Sequence, residues 1–166
     1  MQTEVVSETT PHKRRKQALR QAMVQWRNRW AQDASSAHIR NQYCKLASAS
    51  AKVAQLGSLK RPWGIYFHLT GEPDARILMR QKWLRKGFCA PRLLPQQTQR
   101  MTMIHLKPKR TTRWRKNKWG LVEPNSGMRI AARALGAIIM PLVAFDRYGT
   151  RLGSGNGNYD RMLAQA

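Results

Sequence analysis

The chain has 166 residues, with 31 Lys and Arg against 8 Asp and Glu and a net charge of +23. Such a charge favours acidic partners: nucleic acid, nucleotides, polyanionic metabolites or anionic membranes. There is no apolar run long enough to cross a bilayer, and the N-terminus lacks the basic-then-apolar order of a signal peptide. Two cysteines, Cys44 and Cys89, make neither a disulfide framework nor a zinc site. We therefore expect a reduced, cytoplasmic protein without a membrane span.

The N-terminal third is predicted to be helical. Residues 1–10 are polar and are expected to form a flexible N-terminus. Pro11 opens a first helix, whose predicted apolar face is Leu19, Met23, Trp26 and Trp30. A second helix is predicted from a cap at Ser36 to Gly57.

Strand patterns alternate with helix patterns in the rest of the chain. Trp63–Leu69 predicts a buried strand, and Asp74 caps a third helix that stops at Gly87. Residues 88–94 and 101–106 predict strands, with Pro91 indicating an edge or a bend, and 107–118 predicts a loop. The apolar run 135–145 predicts a central strand, followed by a turn at 146–149. This alternation favours one α/β domain over residues 11–166 with a mainly parallel sheet.

A glycine loop, RLGSGNGNYDR at 151–161, follows the strongest strand and precedes a short helix from Asn158. Glycines let backbone N–H groups approach phosphate oxygens, and a helix N-terminus adds further N–H groups. Arg151 and Arg161 could neutralise phosphate charge, and Asp160 could hold Mg²⁺. The spacing matches neither the P-loop nor the dinucleotide motif, so a flexible turn beside a helix cap remains an alternative.

Outside the glycine loop, the sequence offers few other candidate site residues. Glu72 and Asp160 both sit beside strand ends, where α/β proteins place ligands, whereas Asp74 is expected to cap a helix. The four histidines lack metal-ligand spacing. The stretch KPKRTTRWRKNKWG, at 107–120, interleaves arginine with tryptophan, which suits nucleic acid, but the composition favours a solvated loop in an Arg-rich chain.

Several motifs in one order resemble the 5-formyltetrahydrofolate cyclo-ligase family, also called methenyltetrahydrofolate synthetases. They are KQALR (16–20), GIYFHLTGEPDAR (64–76), the passage at 83–94, KWGLVEP (118–124) and PLVAFDRYGTRLGSGNGNYDR (141–161). The resemblance implies a three-layer α/β sandwich. It also implies an ATP- and Mg²⁺-dependent ligase that converts 5-formyltetrahydrofolate, which can carry a polyglutamyl tail, to 5,10-methenyltetrahydrofolate, with release of ADP and phosphate. We expect a monomer.

The resemblance also implies site residues. ATP is expected at Lys16, Arg20, Arg151, Leu152, Gly153, Ser154, Gly155, Asn156, Gly157, Asn158 and Tyr159. Folate is expected beside Phe67 and Glu72, with Trp119 stacking on the pterin, and Asp160 is expected to bind Mg²⁺. The catalytic residues are not assigned. The alternative is a basic nucleic-acid-binding protein that uses the 107–118 loop.

The chain departs from the family pattern in three ways. Family loops usually have the sequence Gly-x-Gly-x-Gly-Tyr-Tyr-Asp. In this chain Asn158 replaces the first Tyr, and Ser154 replaces a larger residue. Family members also continue beyond the position of Ala166, with a second acidic magnesium ligand. From these departures we expect a C-terminally short domain, weaker binding of ATP with Mg²⁺, and cyclisation that is slow or does not occur.

Overall fold

The computed structural model describes residues 10–34, 37–38, 41–42, 45–46, 48–49, 52, 61–69, 71–80, 87–94, 101–106, 112–117 and 120–165. Within these ranges, two helices are complete: an N-terminal helix, Pro11–Asp33, and a C-terminal helix, Asn158–Leu163. Two 3₁₀ helices span Ala75–Arg80 and Ala132–Ala134. No described helix has the length and apolarity needed to cross a membrane.

The N-terminal helix starts as predicted, with Pro11 in its first turn. Its predicted apolar face is wrong in part, because Leu19 and Trp26 are exposed while Met23 and Trp30 are half-buried. The inner face carries Arg20 and Arg27 instead, since this helix lies against a polar loop rather than an apolar core. The described residues between 37 and 52 are helical, as predicted for the second helix, whose predicted ends at Ser36 and Gly57 lie outside the described residues.

Nine strands are present in the described ranges. They are β1 (Trp63–Gly64), β2 (Phe88–Leu93), β3 (Met101–Leu106), β4 (Trp114–Lys116), β5 (Val122–Pro124), β6 (Met128–Ile130), β7 (Ala137–Ile138), β8 (Ala144–Phe145) and β9 (Arg151–Leu152). Five form one sheet in the order β6-β3-β2-β1-β7, while β4–β5 and β8–β9 are separate antiparallel pairs.

The main sheet is mixed, which corrects the expectation of a mainly parallel one. Strand β1 runs parallel to β2 and β7, whereas β2–β3 and β3–β6 are antiparallel. The physical reason is the short connection between β2 and β3. A parallel crossover needs a dozen or more residues, and fewer than that separate Leu93 from Met101.

The core lies around β1 and β2. Trp63, Ile65 and Phe88 belong to one buried cluster, and Cys89 and Met103 to another. Because successive residues of a strand point to opposite faces, the adjacent Phe88 and Cys89 show that both faces of β2 are covered. This supports an α/β fold.

The predicted central strand at 135–145 is also corrected. It breaks into β7, on the edge of the described sheet, and β8, which pairs only with β9. Pro141 lies between the two and offers no N–H to a ladder. Pro91 lies in the interior strand β2, two residues after Cys89, whose carbonyl accepts from the Ile65 N–H, and its missing N–H offers no further donor to β1, whose pairing with β2 ends at Gly64.

The predictions for the Asp74 cap, the 107–118 loop and the 146–149 turn have different outcomes. Asp74 does cap a helix, since its Oδ1 accepts a hydrogen bond from the Arg76 backbone N–H (3.0 Å), but the helix is 3₁₀ as far as Arg80. The predicted loop at 107–118 contains strand β4, and residues 107–111 and 118 lie outside the described ranges. The turn at 146–149 is confirmed by the β8–β9 hairpin, in which the Asp146 N–H bonds to the Thr150 carbonyl (3.1 Å).

Candidate active site at the glycine loop

The glycine loop runs from the end of β9 to the C-terminal helix. Gly155 has φ +106° and Gly157 has φ +63°, both in the region that favours glycine. A Cβ on Gly157 would lie 2.7 Å from the Arg161 guanidinium, so a side chain here would have to displace that guanidinium. The Arg161 guanidinium donates to the Asn156 carbonyl and to Asn158 Oδ1 (3.1 Å). Arg161 therefore braces the loop from within its own helix.

The N-terminal helix meets this loop through Arg20. The Arg20 Nε donates to the Gly153 carbonyl oxygen at 2.8 Å, across 133 positions of sequence. The same guanidinium lies 3.6 Å from the point where a Cβ on Gly155 would sit. Lys16 lies one helical turn earlier on the same side and is exposed. The structure thus brings Arg20 to the loop, as the sequence predicted, and leaves Lys16 in solvent beside it.

Arg151 joins the two ends of the loop. Its guanidinium pairs with the Asp160 carboxylate, donates to the Pro141 carbonyl (3.2 Å) and lies 5.8 Å from the centre of the Tyr159 ring. Asp160 is otherwise open to solvent, with 70% of its side chain exposed. A cation and an exposed carboxylate therefore stand together at the start of the C-terminal helix.

Glu72 forms a second polar centre, held by the same N-terminal helix. The Arg27 guanidinium pairs with Glu72 Oε1 (3.2 Å), and the Leu69 backbone N–H donates to Oε2 (2.9 Å). Both side chains are largely buried, at 17% and 10% exposure. Gly71, with φ +82°, packs against Arg27, because a Cβ there would lie 3.5 Å from Arg27 Nε and 2.9 Å from the neighbouring Asn28 Oδ1. Arg27 is two helical turns from Arg20.

Tyr159 links the two centres. Burial raises the pKa of its phenol well above the usual range, the Glu72 carboxylate raises it further, and the Arg151 guanidinium opposes the shift. Because the charges of both Glu72 and Arg151 act on one phenol, the glycine loop and the Glu72 turn face a common region. The neutral phenol is a hydrogen-bond donor at any ordinary pH.

Phe67, which the resemblance implies contacts the folate, takes part in an aromatic contact. The rings of Phe67 and Trp114 pack edge to face with centroids 5.0 Å apart. Trp114 is held by the β4–β5 hairpin, whose Glu123 is buried and accepts two hydrogen bonds from Arg115 (2.8 and 2.6 Å). The predicted pterin-stacking residue, Trp119, lies outside the described residues.

Comparison with known proteins gives the family. A profile described as the 5-formyltetrahydrofolate cyclo-ligase family matches residues 12–166. This chain belongs to that family. The 5-formyltetrahydrofolate cyclo-ligase of Haemophilus influenzae is 32% identical over 102 residues, which cover 60% of this chain and 54% of the relative. That of Escherichia coli K12 is 33% identical over 102 residues, 60% of this chain and 55% of the relative. The chain thus matches about half the length of these curated relatives.

Solved structures agree in fold. An Aquifex aeolicus 5,10-methenyltetrahydrofolate synthetase superposes with a TM-score of 0.71 at 25% identity, over 91% of this chain and 73% of the other. A Mycoplasma pneumoniae 5,10-methenyltetrahydrofolate synthetase gives 0.61 at 19% identity, over 91% and 78%. This member of the cyclo-ligase family therefore shares the fold of these synthetases, and its main sheet is mixed.

Few of the described side chains are suited to bind the expected Mg²⁺ ion. Across the part of the chain that the structure describes, no three His, Cys, Asp or Glu side chains cluster as a metal site. Asp160 is a single exposed carboxylate already paired with Arg151. Mg²⁺ commonly uses one or two carboxylates together with substrate phosphates and water. The residues present thus fit a magnesium ion that arrives with a nucleotide.

Sequence reasoning missed Arg27 as a site residue and gave Arg161 only a phosphate-neutralising role. Arg27 is seven residues after Arg20, so the two share one face of a helix, and this spacing was a usable signal. The bracing of Asn156 by Arg161 had no such signal, because it depends on the backbone path of the loop. Asn158, which departs from the family pattern, uses its side chain to hold Arg161.

Proposed function

We propose that this chain binds ATP at the glycine loop and 5-formyltetrahydrofolate beside Glu72, and joins them in an ATP-dependent cyclo-ligase reaction. One observation carries the proposal: a single face of the N-terminal helix contacts both centres, through Arg20 at the loop and Arg27 at Glu72. A ligase of this kind must place a triphosphate and a folate side by side, and a rigid helix that touches both sites supports that placement.

In the proposed reaction the formyl oxygen attacks the γ-phosphorus of ATP and ADP leaves. N10 of the folate then attacks the activated formyl carbon, a C–N bond closes the ring, and the C–O bond breaks as phosphate departs. Loss of the N10 proton to solvent leaves 5,10-methenyltetrahydrofolate. Little of this is covalent chemistry by the protein, so its role is to position the substrates and to stabilise charge.

The side chains divide this work by their charge. Lys16, Arg20 and Arg151 carry positive charge to the loop, where triphosphate charge must be neutralised. Arg151 would exchange its Asp160 partner for phosphate oxygens when the nucleotide enters. Mg²⁺ held by Asp160 would screen the charge of the phosphates as one is transferred. Loop residues Leu152 to Asn158 would supply backbone groups.

The folate side is proposed to rest on Glu72 and Phe67. Glu72 keeps carboxylate lone pairs that accept hydrogen bonds from the amino and imino groups of a pterin ring. Phe67, packed edge-on against Trp114, gives an apolar wall. We propose the same role for Trp119, and a polyglutamyl tail would meet the basic surface of the chain. We further propose that residues 11–166 form one three-layer domain that acts as a cytoplasmic monomer.

The nucleic-acid alternative for the 107–118 loop stays a prediction. Arg115, within that segment, is occupied by the buried Glu123, and most of the remaining basic residues lie outside the described ranges. No described contact favours this loop over the glycine loop as the functional site.

The test is the absorbance of methenyltetrahydrofolate formed from 5-formyltetrahydrofolate, ATP and Mg²⁺. We expect product only when all three are present, and Arg20→Gln to lower kcat/KM for ATP about tenfold, since it removes a charged hydrogen bond at the loop. Arg133→Gln is the control, because its guanidinium is exposed on the 3₁₀ helix Ala132–Ala134. Absence of product with the wild-type chain would contradict the proposal, as would equal loss in both variants.

A further inference from the structure

One stripe of the N-terminal helix is unused by the proposed reaction. Its members follow one another at steps of four and three residues, and all of them are exposed: Arg15, Leu19, Ala22, Trp26, Arg29 and Asp33. Trp26 is 58% exposed and Leu19 48%. Successive helical residues are turned by about 100°, so this stripe points away from the face that holds Arg20 and Arg27.

A cavity lies at the C-terminal end of this stripe. It has a volume of about 560 Å³ and is lined by Trp26, Arg29, Trp30, Asp33, Ala34 and His38. The rings of Trp30 and His38 meet edge to face at 5.3 Å. The volume is in the range of small-molecule sites, and the lining combines flat aromatic rings with one cation and one carboxylate. None of these lining residues belongs to the glycine loop at 151–161.

The charge around the stripe is strongly positive. The N-terminal helix carries seven Lys or Arg residues against the single acid Asp33. Five of the seven, namely Lys13, Arg14, Arg15, Lys16 and Arg29, are exposed. The whole chain has a net charge of +23, which exceeds what one nucleotide and one folate require. The complementary partner is a polyanion.

We propose that this stripe and its cavity bind single-stranded nucleic acid. Trp26 offers an exposed indole face on which a base can stack. Arg15 and Arg29 lie about 21 Å apart along the helix, so they can contact phosphates several nucleotides apart on one strand. The carboxylate of Asp33 repels phosphate but accepts hydrogen bonds from base amino groups. The cavity therefore takes a base rather than a phosphate, which distinguishes this partner from an anionic membrane or a sulfated polysaccharide.

The experiment measures the fluorescence anisotropy of labelled cytosine oligomers of about 12 nucleotides, as RNA and as DNA, with the full chain. Trp26→Ala combined with Arg29→Gln is expected to weaken binding about tenfold, because stacking of one base and one phosphate contact are lost. Trp26→Phe, which keeps a stacking face, is expected to retain most of the affinity. The matched control is Arg147→Gln with Tyr148→Ala, an exposed arginine–tyrosine pair on the β8–β9 hairpin.

Salt and competitors complete the test. Arg15→Gln with Arg29→Gln should reduce the slope of log affinity against log salt by about 1.4, the value for two phosphates of a single strand. Equal weakening by the stripe and control variants would overturn the proposal. Equal competition by inorganic polyphosphate, or equal binding to phosphatidylserine vesicles, would also overturn it, because charge alone would then account for the affinity.

Discussion

Arg27 lies far from Glu72 in sequence but contacts it directly in the fold. Its guanidinium fixes Glu72, whose other oxygen is held by the Leu69 N–H. We expect Arg27→Met to raise KM for 5-formyltetrahydrofolate about tenfold, because a charged hydrogen bond that orients the carboxylate is lost. KM for ATP should stay within twofold, since Arg20 is untouched. Steady-state kinetics with each substrate varied in turn would separate the two effects.

The control for this prediction is Arg27→Lys, which keeps the charge and should recover part of the folate affinity. An equal rise of both KM values in Arg27→Met would show that the helix as a whole had shifted, and would contradict a role confined to Glu72.

Cys89 gives a prediction about pH. It is fully buried in β2, and burial raises the pKa of its thiol to about 12 from an ordinary value of 9.0. Between these two values the unfolded chain has lost the proton and the folded chain has kept it. The free energy of unfolding should therefore fall as pH rises through this window.

The measurement is the difference in absorbance near 240 nm between Cys44→Ser and Cys44→Ser with Cys89→Ala, which cancels the tyrosinate absorbance and leaves the Cys89 thiolate. The thiolate signal should appear near pH 9 in denaturant and only above about pH 11 in the folded chain. A midpoint near 9 in the folded chain would mean that Cys89 is open to solvent.

At the scale of elements, the glycine loop depends on the space at Gly157. A Cβ there would meet Arg161 and would need a positive φ that side chains disfavour. We expect Gly157→Ala to raise KM for ATP about tenfold, because displacing Arg161 releases the Asn156 carbonyl and with it the backbone path of the loop. Gly149→Ala is the control, since its φ of +82° carries similar strain but its Cβ would meet nothing within 4 Å.

If Gly149→Ala raised KM for ATP as much as Gly157→Ala, backbone strain at a positive-φ glycine would explain the effect, and a specific role of Arg161 would be contradicted.

The β4–β5 hairpin is anchored by Glu123. Its carboxylate accepts hydrogen bonds from Arg115 and from the Leu93 N–H of β2 (3.0 Å). Glu123→Ala should lower the free energy of unfolding by about 3 kcal/mol, because it leaves these donors unpaired at a buried site. Arg76→Gln, which breaks the more exposed pair with Asp74, should cost at most about 1 kcal/mol. Urea denaturation of both variants would measure the difference, and equal losses would contradict the anchoring role.

At the scale of the whole molecule, the net charge of +23 acts over the distance set by salt screening. A folate with several glutamates should bind more tightly than one with a single glutamate, because each added carboxylate meets a positive potential. The ratio of the two KM values should shrink towards one as salt rises from 0.05 to 0.5 M, where the Debye length falls to a few ångströms. A ratio that salt leaves unchanged would point to specific contacts with the tail instead.

Local patterns were enough to predict several parts of this molecule. Strands β2 and β3, the turn at 146–149, the cap at Asp74 and the glycine loop before a helix all follow from neighbours in sequence. Motif order likewise predicted the family, because the matching residues are read directly and in register. The approach of Arg20 to the loop was predicted through that resemblance.

Tertiary structure alone decided the rest. The edge position of β7 depends on its pairing with β1, and strand pairing over such a distance in sequence is non-local. The inner face of the N-terminal helix proved to be its arginine side, because the helix packs on carbonyl and carboxylate groups that come from distant parts of the chain. Hydrophobic periodicity presumes an apolar partner, and only the assembled fold reveals that here the partner is the Glu72 turn and the glycine loop.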